Sequence, residues 1–528
     1  MKHSFSEAYV VVKEGILRGT VENGQKVFRG IPYAAPPIGD RRWKAPVPPA
    51  KWFGTRVVDR LVSGALQADG REHFPYEDFE LSAKMDSEDC LYLNIWSPAQ
   101  SPEEKLPVFV WIHGGGMIAG TGMAPLFEGE KLAEKGIIVV TINYRLGLFG
   151  FLCHPELSAE SSSGTSGNYA LLDMRQAVLW LRENIAVFGG DPDKITVGGQ
   201  SGGSVGASCL LMSPLMKGLC HGIVMESGCP LMGGMMEPKT LNEMERDGIH
   251  FAESLDCKSI AEMRSLDGCD LINATLEKGY TPNFCVDGYF LPDTPWNLFT
   301  RGEFNDMNVL VGATSEEFGS FGPRVGTITI EPSQFENYVK TVYPQEVRDL
   351  ILARYAHADS KQSLLAVLRL LSDLHFMSSA RLAEACAKHG KNCYLYYKTR
   401  PDPGKRGELV GSTHSSELPY LFGRTEKCII NPEGMNDAEK EFGNQLMNYW
   451  VSFISKGNPN SDKTAVRWPK SEKLFDYLDL GKEIHIPAED EKSILAVLND
   501  MLLARNETSV RSYMDTTALG APDLFRPM

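Results

Sequence analysis

The stretch TVGGQSGGSVGA, Thr196–Ala207, places Ser201 between two pairs of glycines. It begins within DKITVGG, which is typical of a strand, and it continues into SVGASCLLMS, which is typical of a helix. Gly199–Gly203 therefore has the form G-x-S-x-G at a sharp turn from strand to helix, where side chains two positions from the serine would clash. The chain has 50 glycines, so the pattern also arises by chance. The strand–turn–helix context is what makes Ser201 a candidate nucleophile.

The segments around this turn alternate between predicted strands and predicted helices. Leu106–Ile112 and Lys135–Tyr144 are short apolar runs typical of buried strands, and Asn168–Ile185 has apolar residues at helical spacing. Such alternation predicts an α/β fold with a large, mostly parallel central sheet flanked by helices. The low-complexity stretch Ser158–Gly167 is interpreted as a surface loop. A single domain over residues 1–528, with insertions, fits this pattern better than several modules.

Composition restricts the partners and the compartment. The net charge of -15 and the pI near 5.3 argue against nucleic acid and against anionic membrane surfaces. No apolar run approaches the length of a membrane span, and the first residues lack the apolar run of a secretory signal. The 11 cysteines show no metal-ligand spacing, which favours free thiols in a reducing compartment. We therefore expect a cytoplasmic protein without a metal site; its oligomeric state, a homo-oligomer included, stays open.

A second glycine run, His113-Gly-Gly-Gly116, directly follows the predicted strand Leu106–Ile112. Backbone N–H groups with no side chains in the way can converge on an oxyanion. We expect the amides of Gly115 and Gly116 to form an oxyanion hole, with Gly202 after the nucleophile as the third donor. A merely flexible glycine loop is the alternative, and the serine turn downstream weighs against it.

Three longer motifs make the sequence similar to the type-B carboxylesterase family, also called the carboxylesterase/cholinesterase family of α/β hydrolases. They are VFRGIPYAAPPIGDRRW (Val27–Trp43), SEDCLYLNIW (Ser87–Trp96) and NIAVFGGDPDKITVGGQSGG (Asn184–Gly203). The resemblance covers nearly the whole chain. It implies an α/β-hydrolase fold in which insertions form a gorge over the active site, and serine esterase activity without a cofactor.

The resemblance also implies the two partners of the serine. Chain order in these hydrolases is serine, acid, histidine, and His414 lies in GSTHSSELPYLFG, which is similar to the family's catalytic-histidine loop. Aligning VLVGATSEEFGSF with the family's G-x-x-x-D-E-G pattern puts the acid at Glu317. Glu316 stays the alternative, because Phe318 stands where the family usually has glycine. The other histidines after Ser201 lack such a setting: His221, His250, His357, His375, His389 and His485.

Two cysteines lack their usual disulfide partners, and this difference from secreted family members narrows the predicted compartment. In secreted members, Cys90 and Cys257 would each end a disulfide, but Ala65 or Leu66 and Met263 occupy the expected partner positions. Cys269 could substitute for the missing partner of Cys257. These losses place the chain nearest to cytosolic carboxylesterases.

Cholinesterases differ from this chain at the positions that would hold a choline group. They place a tryptophan shortly before SEDC, whereas this chain has no tryptophan between Trp52 and Trp96, and Tyr76 and Phe79 are weaker candidates for that role. They also place a glutamate before the nucleophile, where this chain has Gln200. Choline-ester specificity is therefore not predicted.

The predicted function is a serine carboxylesterase for small, uncharged or apolar esters, which acts through an acyl-enzyme. The alternatives are an amidase, thioesterase or lipid-ester hydrolase with the same three residues, or a low-turnover scavenging or binding protein. Methionines near the nucleophile could line an adaptable apolar pocket, although ordinary core packing explains each one equally well: Met117, Met232, Met235 and Met236.

Overall fold

The β-strands form the framework of the molecule. The computed structural model describes residues 6–68, 86–232, 236–321, 329–355, 359–427, 433–505, 510–514 and 517–519. Within them the strands are β1 (Ser6–Val12), β2 (Gly15–Glu22), β3 (Gln25–Pro32), β4 (Thr55–Val57), β5 (Tyr92–Ser97), β6 (Leu106–Ile112), β7 (Ile138–Ile142), β8 (Gly190–Gln200), β9 (Gly222–Glu226), β10 (Lys239–Thr240), β11 (Cys285–Val286), β12 (Asn308–Thr314), β13 (Cys393–Lys398), β14 (Tyr477–Leu480) and β15 (Ile484–His485).

A 13-stranded sheet forms the centre, in the order β1-β2-β3-β5-β7-β6-β8-β9-β12-β13-β14-β15, with β4 paired to β2. Every neighbouring pair from β7 to β14 is parallel. The pairs from β1 to β7 are antiparallel. The parallel strands β7 and β9 are buried along their whole length, as strands covered on both faces must be.

Helices connect the strands and flank the sheet. In the described residues they are α1 (Glu130–Ala133), α2 (Gly147–Phe151), α3 (Pro155–Glu160), α4 (Tyr169–Asn184), α5 (Gly202–Met212), α6 (Leu241–Ser254), α7 (Ile260–Ser265), α8 (Gly268–Lys278), α9 (Pro295–Arg301), α10 (Pro332–Val342), α11 (Gln345–Tyr355), α12 (Ser360–Lys388), α13 (Gly404–Val410), α14 (Leu418–Leu421), α15 (Asp437–Lys456) and α16 (Ser493–Ala504).

The alternation of strands and helices confirms the predicted α/β class with its large, mostly parallel sheet. Leu106–Ile112 is strand β6, and the predicted helix Asn168–Ile185 is α4 to within one residue at each end. Helices α6 to α9 lie between β9 and β12 in the chain, and α10 to α12 lie between β12 and β13. Among the described helices, none is long and apolar enough to cross a membrane.

The surface-loop interpretation of Ser158–Gly167 is wrong in part. Helix α3 extends to Glu160, so the first residues of this stretch are helical. Ser158 and Ser166 are buried, and their hydroxyl oxygens lie 2.8 Å apart in a hydrogen bond. Hydroxyls that pair with each other can be buried at little cost, so a serine-rich stretch does not have to stay in solvent.

Candidate active site

Ser201 occupies the turn between β8 and α5. Its φ of 55° and ψ of -125° are strained for a residue with a side chain. Two backbone hydrogen bonds hold this conformation: the Ser201 amide donates to the Glu226 carbonyl at 2.8 Å, and its own carbonyl accepts from the Val205 amide at 3.0 Å. The turn leaves Ser201 partly exposed while every residue of α5 behind it is buried.

The glycines on either side of Ser201 are required by close backbone contacts. A Cβ on Gly199 would lie 2.4 Å from the carbonyl oxygen of Gly203. A Cβ on Gly203 would lie only 2.1 Å from the carbonyl oxygen of Ile112. Since real Cβ atoms do not come this close to backbone oxygen, only glycine lets β8, α5 and the end of β6 converge here.

The second glycine run packs directly on this turn. Gly115 and Gly116 have φ angles of 107° and 62°, which favour glycine. The Gly115 carbonyl accepts hydrogen bonds from two amides further along the loop, at 3.1 and 3.0 Å, which fixes the orientation of this segment. A Cβ on Gly202 would lie 2.9 Å from the Gly116 nitrogen. The backbone of Gly116 therefore lies beside the first residue of α5, next to Ser201.

His113 anchors this glycine run as a neutral, buried side chain. Burial lowers the pKa of His113 to about 4. Its ring stacks on Tyr144 with centroids 4.5 Å apart, and the Tyr144 hydroxyl donates to the His113 carbonyl at 2.9 Å. His113 Nδ1 lies 2.8 Å from the Gly114 carbonyl oxygen. These contacts give His113 a structural role in shaping the loop.

His414 and Glu317 are in direct contact. The two loops that follow β12 and α13 bring the Glu317 carboxylate into a hydrogen bond with His414 Nδ1. The Thr314 amide donates to the other carboxylate oxygen at 2.6 Å. Burial by itself would raise the pKa of Glu317, but the attraction of His414 and its hydrogen bond outweigh burial and lower that pKa to about 2. Glu317 is therefore an ionised carboxylate that can accept from Nδ1–H.

Glu316, the alternative acid, has a different set of partners. Its carboxylate binds Arg369 of α12 and accepts from the Ser412 amide at 2.7 Å and from the Ser315 hydroxyl at 2.5 Å. The Glu316 amide in turn donates to the Ser412 carbonyl at 2.9 Å. Glu316 thus ties the loop that carries Glu317 to the loop that carries His414.

The far side of the imidazole contacts the residue before the serine. Gln200 Nε2 lies 3.0 Å from His414 Nε2. Because Gln200 ends β8 and precedes Ser201, this contact brings His414 to the serine turn. The structure therefore gathers Ser201, His414, Glu317 and the glycines of both runs at the carboxyl ends of β6, β8 and β12, where ligands of α/β sheets bind.

Two buried glutamates lie near Gln200 and His414, and no local sequence pattern identifies them as part of the site. Glu226 is paired with Gln200 across β8 and β9, and it accepts from the Trp450 indole N–H at 2.7 Å. Both carboxylate oxygens of Glu417 lack a hydrogen-bond partner within the described residues. Burial raises the pKa of Glu226, and burial together with repulsion from Glu317 raises the pKa of Glu417 to about 7. These groups meet only through the strand order, which no local pattern reveals.

The local sequence around His375 does not indicate a catalytic role, but helix α12 brings this residue to the site. Its ring meets the ring of Phe318 nearly edge-on, with centroids 6.1 Å apart and an interplanar angle of 85°. Burial lowers the pKa of His375, although the nearby Glu317 carboxylate opposes this. Phe318 stands where the family usually has glycine, and this difference is the feature of the sequence that could have indicated a new side-chain partner beside Glu317.

Other sequence-based predictions meet mixed outcomes. Met117 and Met232 are buried in the core, and Met236 packs against it, which agrees with the core-packing alternative. Met235, Tyr76 and Phe79 lie outside the described residues. Cys90 lines a small cavity with Ala65 and Leu66, the positions proposed for its missing partner. Cys90, Cys257 and Cys269 are unbridged in the described structure, so Cys269 does not replace the partner of Cys257 there.

Comparison with known proteins agrees with this geometry. Residues 6–494 match the carboxylesterase family. The chain is 34% identical to a fumonisin B1 esterase of Sphingopyxis macrogoltabida over 89% of this chain and 86% of that protein. It is 32% identical to the para-nitrobenzyl esterase of Bacillus subtilis over 91% and 96% of the two chains. The chain belongs to the carboxylesterase family.

The fold comparison gives the same result. The crystal structure of a Geobacillus stearothermophilus carboxylesterase superposes with a TM-score of 0.78 and 28% identity, covering 93% of this chain and 99% of that chain. The fold is therefore the α/β-hydrolase fold, as the motifs predicted. The present chain is therefore a serine-type hydrolase that acts on carboxylic esters.

Proposed function

We propose that Ser201, His414 and Glu317 are the catalytic residues of this esterase and that it acts on small, uncharged or apolar esters. Ser201 attacks the ester carbonyl, and His414 takes its proton and later gives it to the leaving alcohol. Glu317 holds Nδ1–H and stabilises the imidazolium. The amides of Gly115, Gly116 and Gly202 bind the oxyanion, and water then hydrolyses the acyl-enzyme. Insertions in the single domain form the gorge that leads to this site.

The contact of Glu317 with His414 Nδ1 carries this proposal. It fixes the imidazole tautomer in which Nε2 carries the lone pair of a base, on the side of the ring where Gln200 and the serine turn lie. The strained Ser201 and the glycine backbone packed against it supply the nucleophile and the donors. In this proposal these side chains and backbone amides act with water as the second reactant.

The test is hydrolysis of p-nitrophenyl esters from acetate to decanoate by the wild type, Ser201→Ala and Ser208→Ala. Ser208 lies two turns further along α5, and its hydroxyl donates to the Ser204 carbonyl at 3.0 Å, so it is a matched control. We expect Ser201→Ala to lose at least about 1,000-fold in kcat and Ser208→Ala to stay close to the wild type. A stoichiometric burst without turnover would instead support the scavenging alternative, and equal rates in all three proteins would contradict the assignment of Ser201.

The same series addresses substrate size and bond type. By their names, one relative acts on fumonisin B1 and the other on para-nitrobenzyl esters, so the relatives differ in the esters that they accept. The preferred acyl length therefore measures the acyl pocket of this chain. Matched amide and thioester substrates with the same acyl group separate an esterase from an amidase or a thioesterase.

A cytoplasmic location is part of the proposal, and the free thiols support it. The ten cysteines within the described residues are all unbridged, among them the buried Cys90. A thiol titration of the denatured, unreduced protein purified from its native host should find 11 thiols, one for each cysteine of the sequence. A lower count would show disulfides and would contradict a reducing compartment.

A further inference from the structure

The side-chain amide of Gln200 occupies the ring nitrogen that has to receive the serine proton. Gln200 Nε2 lies 3.0 Å from His414 Nε2. Glu317 binds the opposite nitrogen, Nδ1. Because an ionised carboxylate only accepts, Nδ1 carries the hydrogen of the neutral imidazole and Nε2 carries a lone pair. The amide must therefore present an N–H to Nε2 in the resting enzyme, which assigns its orientation.

The other end of this amide is buried and unpaired. Gln200 is fully buried, and its Oε1 has no hydrogen-bond partner within the described residues. A Cβ on Gly114 would lie 2.7 Å from this oxygen, so the neighbouring backbone leaves the space that a side chain would fill. An unpaired buried carbonyl oxygen is costly, and a resting-state contact alone does not explain it.

An amide differs from a carboxylate because it can serve both protonation states of the histidine. Its NH₂ group donates to the lone pair of neutral imidazole. After a half turn about its last bond, Oε1 accepts from the Nε2–H of imidazolium in nearly the same volume. A glutamate at this position, when ionised, could serve only the imidazolium.

We propose that Gln200 is a positioning residue for His414, which donates to Nε2 in the resting enzyme and turns to accept from Nε2–H once the ring is charged. The inference rests on the proposed roles of Ser201 and His414. In the step, the Ser201 O–H bond breaks as its oxygen bonds to the ester carbon, the carbonyl π bond opens to give the oxyanion, and the proton replaces the Gln200 N–H at the Nε2 lone pair. The imidazolium holds the positive charge between Glu317 and the turned amide. Nε2 then gives this proton to the alcohol oxygen as the ester C–O bond to that oxygen breaks and the carbonyl re-forms.

The surroundings of His414 explain why a neutral side chain is suited to this position. The titratable groups that face the ring are Glu317 from the loop after β12, His375 from α12 and Glu417 from the start of α14. Glu226 lies next to Gln200 in the register of β8 and β9. A carboxylate at residue 200 would add a negative charge near the ionised Glu317 and beside Glu226 and Glu417, whose pKa values burial already raises. It would also stabilise imidazolium and make the base available only at higher pH.

The first experiment compares the pH profiles of kcat/KM for p-nitrophenyl butyrate in the wild type, Gln200→Glu and the control Gln25→Glu. Gln25 is buried, donates to the Glu130 carbonyl at 3.0 Å and has an unpaired Oε1, but three strands separate β3 from β8 in the sheet. We expect Gln200→Glu to move the acid limb up by about one pH unit, so that activity below both midpoints falls about tenfold. Gln25→Glu should leave the limb in place. Acid limbs of the wild type and Gln200→Glu that coincide would overturn the proposal.

The second experiment does not depend on turnover. In the Ser201→Ala background, ¹⁵N NMR of His414 reads whether Nε2 of the neutral ring accepts a hydrogen bond. Replacing Gln200 by Met, which keeps the length but removes both amide ends, should shift the Nε2 signal, and an unchanged signal would overturn the proposal. If the wild type hydrolyses no ester, the proposed function fails while this measurement still decides the role of Gln200. The NMR measurement also tests the role of Gln200 in the case that the Gln200→Glu variant does not fold.

Discussion

The two halves of the active site are built in different ways. The serine side, Gly114–Gly116 with Gly199–Gly203, is shaped by closely packed backbone. A single carbon added at Gly115, Gly199 or Gly203 would collide with a carbonyl oxygen. The histidine side, Glu316–Phe318 with Ser412–Glu417, is held by charged and hydrogen-bonded side chains from separate loops. Steric fit has almost no tolerance, whereas a network of side chains can lose one member and persist. The two sides should therefore respond differently to substitution.

The largest expected effect comes from adding one methyl group on the serine side. In Gly203→Ala the new Cβ would meet the Ile112 carbonyl oxygen at 2.1 Å, and neither backbone can move without displacing β6 or α5. We expect a loss of stability on the order of 3 kcal/mol or more, together with loss of activity, measured by urea unfolding and ester hydrolysis. Gly443→Ala within α15 is the control, because its Cβ would find its nearest neighbour at 3.4 Å. Equal stability of the two variants would contradict the steric account.

Next in size is the contrast between two adjacent acids on the histidine side. Glu317→Gln removes the charge beside His414, so kcat should fall by about 1,000-fold. Glu316→Gln instead weakens the tie to Arg369 and should destabilise the fold by on the order of 1–3 kcal/mol, with a smaller loss of kcat. Measuring kcat and the unfolding midpoint of both variants tests this division. If Glu316→Gln caused the larger loss of kcat, the acid would be assigned wrongly.

A smaller effect, which depends on pH, should come from Glu417. Its pKa is raised to about 7 by burial and by repulsion from Glu317, so the native state binds a proton more tightly than the unfolded chain. This contribution is fully present below the unfolded pKa near 4.5 and is lost as the pH rises through 7. Glu417→Gln should therefore raise Tm at pH 8 relative to the wild type and change it least below pH 4.5. A Tm difference that does not vary with pH would contradict the buried-acid interpretation.

The smallest effect is expected at His375. Burial lowers its pKa, so it is neutral near pH 7 and adds little charge beside Glu317. His375→Asn should change kcat by less than about fivefold, because Glu317 keeps its hydrogen bonds from Thr314 and His414. Steady-state kinetics between pH 6 and 8 check this. A large loss would mean that the contact of His375 with Phe318 is needed to hold the acid in place.

The serine side could be predicted because its parts are close in sequence. The pattern around Ser201 includes its own strand, turn and helix, and the run after His113 follows one strand, so local chemistry was sufficient. The histidine side needed resemblance to a family, since nothing local distinguishes Glu317 from Glu316. Only the structure gives each of them its partner.

What could not be predicted depends on contacts between distant segments. Gln200 meets His414, and Glu226 lies beside Gln200, because β8 and β9 pair in one register and β12 and β13 follow them in the sheet. His375 reaches Phe318 because α12 packs along the loop after β12. The error at Ser158–Gly167 has a related origin, because Ser158 and Ser166 are buried and hydrogen-bonded to each other, which composition does not show. The single domain over residues 1–528 stays a prediction.

The strand order also has a consequence for protein synthesis. A ribosome that has added residue 400 has made the serine turn, the glycine run and Glu317, but it has not yet made His414. Strand β14, which completes the parallel part of the sheet beside β13, comes later still. The nascent polypeptide therefore carries Ser201 without His414 while residues 202–413 are being added. With the proposed catalytic residues, the chain can hydrolyse esters only after residue 414 has been made.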